Sequence, residues 1–313
     1  MKISVIIPVY NAEKYVSQAV ESALQFDVVH EVVLVEDKSP DNALQVCQEL
    51  AGKYDRVKLY QHPDKENHGA GASRNLGMEK SEGDFIAFLD ADDYYMPNRF
   101  DAERELFPNK EVDGVYGAIG VHYYSEKAKE QYYKVFGDRL TTVYKKHDPK
   151  DVFPGQLNMR GTFGLFSIDA LTIRKSSLKS MEYFFKTHLR LHQDTEFLFR
   201  LSYYLNLYPG ILDKAVAIRG VHENNRITKI DAREVKPAST RVVLWKEVNH
   251  WAENETTIPD DVKLHIKRVY RSFQIANAPL LKKWGMITKY LITDYKSIRS
   301  GLYNINFRKD LFS

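Results

Sequence analysis

The stretch DFIAFLDADDYYMP, residues 84–97, constrains the fold of this chain more than any other. An apolar run, residues 85–89, ends abruptly in three carboxylates, those of Asp90, Asp92 and Asp93. Such a run is typical of a buried strand. Open α/β sheets bind ligands just beyond the carboxyl ends of their strands, and the acidic cluster falls at that position. We therefore expect the functional site to lie here.

The N-terminal third of the chain alternates between short apolar runs and amphipathic segments. The apolar runs cover residues 3–9, 31–37, 57–62 and 85–89. Each of the first three is followed by a segment with helical periodicity. No glycine occurs before Gly52, so the first strand is not followed by the glycine-rich turn of P-loop and dinucleotide-binding proteins. The alternation predicts an α/β fold, with a Rossmann-like, mostly parallel sheet flanked by helices.

The pattern is less regular after the acidic cluster. Residues 114–124, GVYGAIGVHYY, predict one strand, and a second is predicted within residues 163–175. Residues 191–207 are helical by periodicity, and the chain from about residue 236 onward is helical and basic.

Composition indicates a globular protein, because 43% of the residues are hydrophobic and only one cysteine, Cys47, is present. A single cysteine excludes an intramolecular disulfide framework and a cysteine-rich zinc site, and Cys47 lies on an apolar helix face where we expect it to be buried. No N-terminal segment resembles a signal peptide, and no stretch approaches the roughly 18 apolar residues of a membrane span. The prediction is a cytoplasmic protein without a transmembrane anchor.

Asp90 and Asp92 stand one residue apart at a strand end, so both carboxylates can turn to the same side. Carboxylate oxygens suit a hard divalent ion such as Mn²⁺ or Mg²⁺. An ion held by so few protein ligands keeps positions open for phosphate oxygens, which favours a nucleoside diphosphate as the ligand. In isolation, such a pair is commonly no more than a solvated acidic turn.

Another carboxylate, that of Asp37, ends the second predicted strand. A hydrogen-bond acceptor at this place suits the ring N–H of uracil, whereas cytosine presents an acceptor there. Thymine and guanine also carry a ring N–H, so this argument does not select uracil by itself. The alternative role for Asp37 is an acid that stabilises the start of the following helix.

Five segments, taken in order, resemble the family 2 glycosyltransferases with the GT-A fold. They are VIIPVYNAEKYV, VVLVEDKSPDN, GAGASRNLG, FIAFLDADDYYMP and HQDTEFLFRL, and they span roughly residues 3–228. The resemblance implies inverting transfer of a sugar from a nucleotide sugar, often UDP-linked, to an acceptor hydroxyl. It implies a divalent cation, Mn²⁺ or Mg²⁺, and a role in cell-surface polysaccharide or glycolipid synthesis.

The resemblance also assigns nucleotide-binding roles to individual residues. Pro8, Tyr10 and Asp37 match the positions that frame the nucleobase. Arg74 matches an arginine near the base and the phosphates, and Asp90 matches the aspartate on the ribose side. A surface ion pair is the alternative for Arg74, although its place at a glycine-rich helix start favours ligand contact.

Asp92 matches the direct metal ligand, and His222 resembles a histidine that approaches the diphosphate or the metal. The alternative for His222 is a histidine that bonds a loop backbone. Asp194 matches the catalytic base, which takes the proton of the acceptor hydroxyl. Two places depart from the family pattern. Glu36-Asp37-Lys38 stands where two aspartates and a glycine are usual, and Gln193 replaces an acid that often precedes the base.

The C-terminal part of the chain carries most of the positive charge. From Asp261 to Ser313 there are 11 Lys and Arg against 3 Asp, a net charge of +8, which leaves −5 for the rest of the chain. We predict a nucleotide-sugar-binding and catalytic domain over residues 1–230 and a basic helical region over residues 231–313.

Basic and apolar residues interleave in this C-terminal region. The basic residues are Lys267, Arg268, Arg271, Lys282, Lys283 and Lys289, and the apolar residues are Leu280, Leu281, Trp284, Ile287, Tyr290 and Leu291. The pattern suits helices that lie on an anionic membrane surface, as would help with a lipid-linked acceptor. A solvated basic face over the first domain, or an oligomer contact, explains it equally well.

Three other classes of protein are alternatives to a glycosyltransferase. A sugar nucleotidyltransferase would carry a glycine-rich basic loop after the first strand, where this chain has Pro-Val-Tyr-Asn. A non-catalytic nucleotide-sugar or glycan-binding module would have little reason to keep Asp90, Asp92 and Asp194 together. A nucleic-acid binder would need a recognition motif, and none is seen. The partners predicted are therefore a nucleotide-sugar donor and a glycan or lipid-linked acceptor, with no nucleic acid.

Overall fold

The computed structural model describes residues 1–159, 161–223, 225 and 237–302. By internal contacts the chain divides into two compact units. The first unit comprises residues 1–190 and 197–228, and the second comprises residues 191–196 and 229–313. The predicted boundary after residue 230 lies outside the described residues.

Strands and helices alternate through the first unit. The strands are β1 (Ile3–Val9), β2 (Val29–Glu36), β3 (Val57–Gln61), β4 (Phe85–Phe88), β5 (Tyr94–Tyr95), β6 (Gly114–Tyr116), β7 (Ala118–Tyr123), β8 (Leu171–Arg174), β9 (Leu207–Pro209) and β10 (Ala215–Val221). The helices are α1 (Val16–Leu24), α2 (Ala43–Lys53), α3 (Ala70–Lys80), α4 (Asp101–Leu106), α5 (Glu126–Phe136), α6 (Pro149–Gln156) and α7 (Gln193–Tyr204). The first four residues of α7, 193–196, belong to the short segment of the second unit.

A seven-stranded sheet forms the centre of this unit, in the order β3-β2-β1-β4-β8-β6-β9. Strand β1 runs parallel to both β2 and β4, whereas β8 runs antiparallel to β4 and β6. Strands β1 and β2 read as nearly continuous apolar runs because both of their faces are covered. The predicted GT-A-type α/β fold with a mostly parallel sheet is confirmed.

Alternate residues of β1 point to opposite faces of the sheet, as strand geometry requires. Val5 and Ile7 belong to one buried apolar cluster, together with Cys47 of α2. Ile6 belongs to a second cluster, together with Phe197 of α7. Cys47 is fully buried as expected, and burial, together with the nearby carboxylates of Glu36 and Asp41, raises the pKa of its thiol to about 12.

A smaller sheet has the order β5-β10-β7. The single strand predicted over residues 114–124 is wrong, because β6 belongs to the large sheet and β7 to the small one. The chain changes sheets at Gly117, where an added Cβ would lie 2.8 Å from Val216 Cγ2. The close packing at this corner explains why the apolar run is interrupted at a glycine.

Helix α4 is joined to the start of β8 by a buried arginine. Arg99 donates to the carbonyl oxygens of Asp169 at 3.2 Å and Leu171 at 3.1 Å, and to Thr172 Oγ1 at 3.2 Å. It also forms a buried ion pair with Glu103. These bonds fix the position of the segment that carries Asp169 into the large sheet.

The second unit consists of helices in its described part. They are α8 (Pro237–Asn254), α9 (Asp260–Asn277), α10 (Leu280–Thr293) and α11 (Tyr295–Leu302). The helical C-terminal region predicted from the sequence is therefore confirmed over residues 237–302. Within the described part of the chain, every helix is too short or too polar to span a bilayer.

We expect Arg99→Met to lower the free energy of unfolding by about 3–5 kcal/mol, because the Glu103 carboxylate would stay buried without its cation. Urea denaturation would measure the change. Arg104→Met, in the helix that Arg99 precedes, is the matched control. Its ion pair with Asp27 is largely exposed, so its removal should cost about 1 kcal/mol or less. Equal losses in the two variants would show that Arg99 has no special structural role.

Candidate functional site

The carboxyl ends of β1, β2 and β4 meet at one edge of the large sheet. Asp37 N donates to Val9 O at 2.9 Å, and Leu89 N donates to Ile6 O at 3.1 Å. The residues that follow these strands therefore lie along a common edge. Tyr10, directly after β1, is 50% exposed there.

Pro8 lies within β1, opposite Val35 of the neighbouring strand, and is half-buried. Pro8 and Tyr10 thus lie beside the end of β2, where the sequence predicts the nucleobase pocket.

The structure brings Arg74 and Asp90 together. Arg74 lies on α3 and is buried, and its Nη2 is 2.5 Å from Asp90 Oδ1. The guanidinium also lies 5.6 Å from the centre of the Phe185 ring. Arg74 is therefore not a surface residue: it presents its charge to a carboxylate that is itself 41% exposed.

Asp169 is a site residue that the sequence did not indicate. It lies two residues before β8, and because β8 runs antiparallel to β4, the start of β8 meets the end of β4. Asp169 Oδ1 accepts from Asp90 N at 3.0 Å, and its Oδ2 accepts from Ser167 Oγ at 2.8 Å. Burial, reinforced by the nearby Asp90 charge, raises the pKa of the Asp169 carboxyl to about 6.

Asp93 is the third acid of the turn and is buried. Its Oδ1 accepts from Gly220 N of β10 at 2.9 Å. Burial raises the pKa of this carboxyl well above its ordinary value, and the neighbouring Asp169 and Asp92 carboxylates add to the effect. The positive charge of Arg219 lowers the pKa of Asp93 and so offsets part of this effect. Asp93 and the nearby Asp169 are therefore two buried carboxyls whose negative charge is unfavourable without a nearby cation.

Asp90, Asp93 and Asp169 form a group that could hold a metal ion. One oxygen from each carboxylate lies within 4.8 Å of the others. An all-oxygen set of this kind fits a hard divalent cation such as Mg²⁺ or Mn²⁺. The sequence indicated the pair Asp90 and Asp92, so the folded chain supplies additional carboxylates.

Asp92 and His222, the two residues predicted to bind the metal, lie next to each other. His222 Nε2 is 3.2 Å from Asp92 Oδ2, and Asn225 Nδ2 donates to the same oxygen at 2.8 Å. The His222 ring stacks on Tyr15 with a centroid distance of 4.6 Å. His222 also donates its backbone N–H to the side chain of Asn225. The role of its imidazole at a metal or diphosphate stays a prediction.

Asp37 is buried and holds the loop that leads into α3. Its carboxylate accepts from Asn67 Nδ2 at 2.9 Å, from His68 N at 2.7 Å and from Gly69 N at 2.7 Å. Asn67 Nδ2 also donates to the Asp37 carbonyl oxygen at 2.8 Å. The carboxylate therefore lies at the start of α3 and not at the start of α2, the helix that follows Asp37 in the chain.

Asp194 is the second residue of α7 and belongs to the segment 191–196 of the second unit. Its carboxylate is exposed and accepts from the backbone N–H of Thr195 at 2.8 Å. Gln193, which stands where an acid is common, is buried.

The sequence profile of the family described as "Glycosyl transferase family 2" matches residues 4–173, more than half of the chain. The chain belongs to glycosyl transferase family 2. The matched range contains the ends of β1, β2 and β4, and thereby Asp37, Arg74, Asp90 and Asp92.

Several relatives are similar over about a third of the chain. An uncharacterized glycosyltransferase of Haemophilus influenzae is 39% identical over 102 residues, which cover 32% of this chain and 40% of that protein. The minor teichoic acid biosynthesis protein GgaB of Bacillus subtilis is 39% identical over 107 residues, 33% of this chain and 12% of that protein. The poly(ribitol-phosphate) beta-N-acetylglucosaminyltransferase TarS of Staphylococcus aureus is 38% identical over 97 residues, 30% of this chain and 17% of that protein. The chain thus matches less than half the length of these relatives.

Solved structures of S. aureus TarS extend the likeness to nearly the whole chain. The structure of TarS 1–349 in complex with UDP-GlcNAc superimposes with a TM-score of 0.62 at 20% identity, and covers 99% of this chain and 78% of that one. The full TarS structure gives a TM-score of 0.64 at 18% identity, over 100% of this chain and 55% of that one. At these identities the likeness establishes the fold.

Lys38, where family 2 glycosyltransferases usually have glycine, has a φ of 57°. This left-handed conformation is the one that glycine adopts without strain, which gives a physical reason for the usual residue. The Lys38 side chain forms an exposed ion pair with Glu66. The substitution therefore joins the turn after β2 to the loop that Asp37 holds.

Gly220 allows β10 to approach the acidic turn. A Cβ added at this position would lie 2.0 Å from the Asp92 carbonyl oxygen, which is backbone and cannot rotate away. The approach brings the Gly220 N–H to Asp93 and carries His222 to Asp92. The sequence signal for this role was present, since Gly220 interrupts an apolar run just before His222.

We expect Gly220→Ala to lower the free energy of unfolding by about 1–3 kcal/mol, as overpacking of a tight contact does. Thermal and urea unfolding would measure this loss. Gly52→Ala in α2 is the control, because an added Cβ meets nothing within 4 Å there, and helix propensity should make it neutral or stabilising by about 0.5–1 kcal/mol. If Gly220→Ala were as stable as wild type, the close approach of β10 to Asp92 would be refuted.

Proposed function

We propose that the protein is an inverting, metal-dependent glycosyltransferase that moves a sugar from a UDP-sugar to an acceptor hydroxyl. The observation that carries the proposal is the cluster at one sheet edge, in which Arg74 contacts Asp90 and His222 contacts Asp92. The family assignment and the fold likeness to TarS bound to UDP-GlcNAc support the donor class. The names of GgaB and TarS support a role in cell-surface polymer synthesis.

The donor nucleotide would bind along the ends of β1 and β2. Tyr10 is exposed there and offers a ring to a base, while Asp37 offers a carboxylate. Each carboxylate oxygen has two lone pairs, so Asp37 can accept a nucleobase N–H in addition to the loop bonds that it already receives. Arg74 would place positive charge near the phosphates while holding Asp90.

A divalent cation would be held by Asp92 and His222, with the carboxylates of Asp90, Asp93 and Asp169 close to the same turn. When bound, Mn²⁺ or Mg²⁺ supplies positive charge for the diphosphate that leaves. Asp92 and His222 offer a carboxylate oxygen and a ring nitrogen 3.2 Å apart, and Asp90, Asp93 and Asp169 form a separate group of carboxylates nearby. Their oxygen atoms suit a hard divalent ion.

Asp194 would take the proton of the acceptor hydroxyl as the oxygen attacks the anomeric carbon from the face opposite the diphosphate. A single displacement of this kind inverts the anomeric configuration. Asp194 is suited to the task because its carboxylate is exposed and keeps lone pairs for an acceptor.

The acceptor would be a glycan or a lipid-linked saccharide. Contact with a membrane surface is a separate matter, because it depends on the C-terminal helices and not on the donor site.

UDP should bind in the presence of Mn²⁺, and Asp92→Ala should remove the metal-dependent part of the binding. Mutation of a residue that hydrogen-bonds to a metal ligand typically lowers metal affinity by about 10–100-fold. Loss of Asp92, proposed as a direct ligand, should therefore lower it by at least about tenfold. Calorimetry with UDP, GDP, CDP and dTDP, each with and without Mn²⁺, would measure this. Asp55→Ala, an exposed acid before β3, is the control and should bind as wild type does. If no nucleotide bound under any condition, the donor site would be refuted.

Asp194→Asn should lower sugar transfer by about 10²–10⁴-fold, the usual contribution of a general base, and leave UDP binding nearly unchanged. Radiolabelled UDP-sugars would be offered with poly(ribitol phosphate) and with lipid-linked saccharides, and NMR of the product would report the anomeric configuration. Asp213→Asn, an exposed acid elsewhere, is the control.

Transfer at the wild-type rate in Asp194→Asn would remove this residue from the mechanism. A product that retains the donor configuration would refute single displacement. Nucleotide binding by the wild type without transfer to any acceptor would favour the non-catalytic binding module instead.

A further inference from the structure

Helix α10 of the second unit carries an exposed apolar stripe. Its members are Leu280, Leu281, Trp284, Leu291 and Ile292. At about 100° per residue, these side chains fall within roughly one third of the helix circumference. Leu281 is 90% exposed and Ile292 is 83% exposed. Single exposed apolar residues are ordinary, but a contiguous stripe of this size marks an interaction surface.

A neighbouring face of α10 is packed inside the unit. Ile287 is buried against Ile275 and Ala276 of α9 and Ile298 of α11, and Tyr290 packs at the edge of the same cluster. Two residues of the interleaved pattern, Ile287 and Tyr290, therefore face inward. The inner contacts fix which side of the helix is presented outward.

The C-terminal end of α10 is also anchored. Asp294, which follows the helix, accepts bonds from Arg268 Nε at 3.0 Å and from Arg271 Nη1 at 2.9 Å. These two arginines of the basic pattern are thus engaged within the unit. Of the basic residues in the interleaved pattern, Lys282, Lys283 and Lys289 lie on α10 itself.

Two exposed lysines border the apolar stripe. Lys282 and Lys289 are seven residues apart, which is about two turns of an α-helix. They therefore lie on the same side of the stripe. Helix α10 contains no Asp or Glu. Trp284, exposed and two residues from Lys282, sits within the stripe. Apolar side chains with a tryptophan, bordered by lysines and free of acids, are the composition of a helix that lies in a membrane interface.

We propose that the apolar stripe of α10 docks onto the surface of an anionic lipid bilayer. The stripe would enter the boundary between headgroups and acyl chains, and Lys282 and Lys289 would contact the anionic headgroups. A second copy of the chain fits less well, because a two-fold contact through this face would bring the same lysines of both copies together with no acid on the helix to pair with them.

This surface is independent of the proposed transfer reaction, since it uses none of the donor-site residues. Its effect would be to hold the enzyme at a membrane, where acceptors linked to lipid are concentrated. The apolar contribution to membrane binding comes from the stripe, and the electrostatic contribution comes from Lys282 and Lys289. Because these are different side chains, mutation can separate the two contributions.

Co-sedimentation of the full chain with vesicles would test the proposal. We expect binding to vesicles that contain phosphatidylglycerol and much weaker binding to pure phosphatidylcholine. Leu281→Ser with Trp284→Ser should lower binding by about tenfold or more through lost apolar area. Lys282→Glu with Lys289→Glu should lower it by a similar factor, and raised salt should weaken wild-type binding.

The matched control replaces exposed apolar residues of the first unit, Tyr144→Ser with Leu165→Ser, each 69% exposed in the wild type. This variant should bind vesicles as wild type does. Emission of Trp284 should shift to the blue when anionic vesicles are added, and Trp284→Ser should abolish that shift. Circular dichroism would verify that each variant is folded, and calorimetry with UDP would report the donor site separately.

Equal sedimentation of the wild type and both α10 variants would overturn the proposal. So would a wild type that ignores vesicles but self-associates in light scattering, with self-association lost in Leu281→Ser and Trp284→Ser. That result would assign the stripe to contact between copies. Because UDP binding is measured on the same samples, failure of the membrane contact is distinguishable from failure of the donor site.

Discussion

The contact between β10 and the acidic turn after β4 is the constraint on which the candidate site depends. The buried carboxylate of Asp93 needs a donor, and Gly220 N–H supplies it at 2.9 Å. Only a residue without Cβ can come this near, because the Asp92 carbonyl oxygen occupies the space. Once β10 is held there, the chain that leaves it carries His222 and Asn225 to the Asp92 carboxylate. The hydrogen bond from the Gly220 N–H to the Asp93 carboxylate thus joins the small sheet to the turn at the end of the large one. It helps to assemble side chains that are about 130 residues apart in the chain.

The same contact concentrates negative charge in a small volume. Burial and mutual repulsion raise the pKa values of Asp93 and Asp169, so the folded chain disfavours full ionisation of the cluster. Arg74 and Arg219 offset part of this charge. A diphosphate brought to such a cluster would be repelled by it, and a divalent cation would reverse the sign of the interaction. This is the physical reason to connect nucleotide binding with metal binding in one proposal.

Site residues that follow a predicted strand could be recognised from the sequence, whereas a site residue that comes before a strand could not. Asp37 and Asp90 were found because they terminate apolar runs that lead into the sheet edge. Asp169 was not found, because it precedes β8 and reaches the site only through the antiparallel pairing of β8 with β4. The hydrophobic pattern does not show that β8 is antiparallel in a mostly parallel sheet. It therefore could not indicate that a residue just before this strand lies at the site.

Periodicity has a similar limit in the C-terminal region. It predicted helices, but it could not decide which apolar residues face the interior of the unit. Ile287 and Tyr290 pack inward, while Ile292, which was not part of the predicted pattern, is among the most exposed. The division follows from the tertiary contacts of α10 with α9 and α11, which the sequence of one helix does not contain.

Asp37 shows how a binding residue can also be a structural one. Its carboxylate holds Asn67, His68 and Gly69 in place, and Asn67 in turn accepts from Arg190 Nη1 at 3.1 Å. Gly69, with a φ of 87°, keeps room for the same guanidinium, since an added Cβ would lie 2.6 Å from Arg190 Nη1. The wall of the predicted nucleobase pocket is therefore built by the residue that would recognise the base. Loss of the Asp37 carboxylate would remove the acceptor and release the loop together, so its two effects on affinity are not additive.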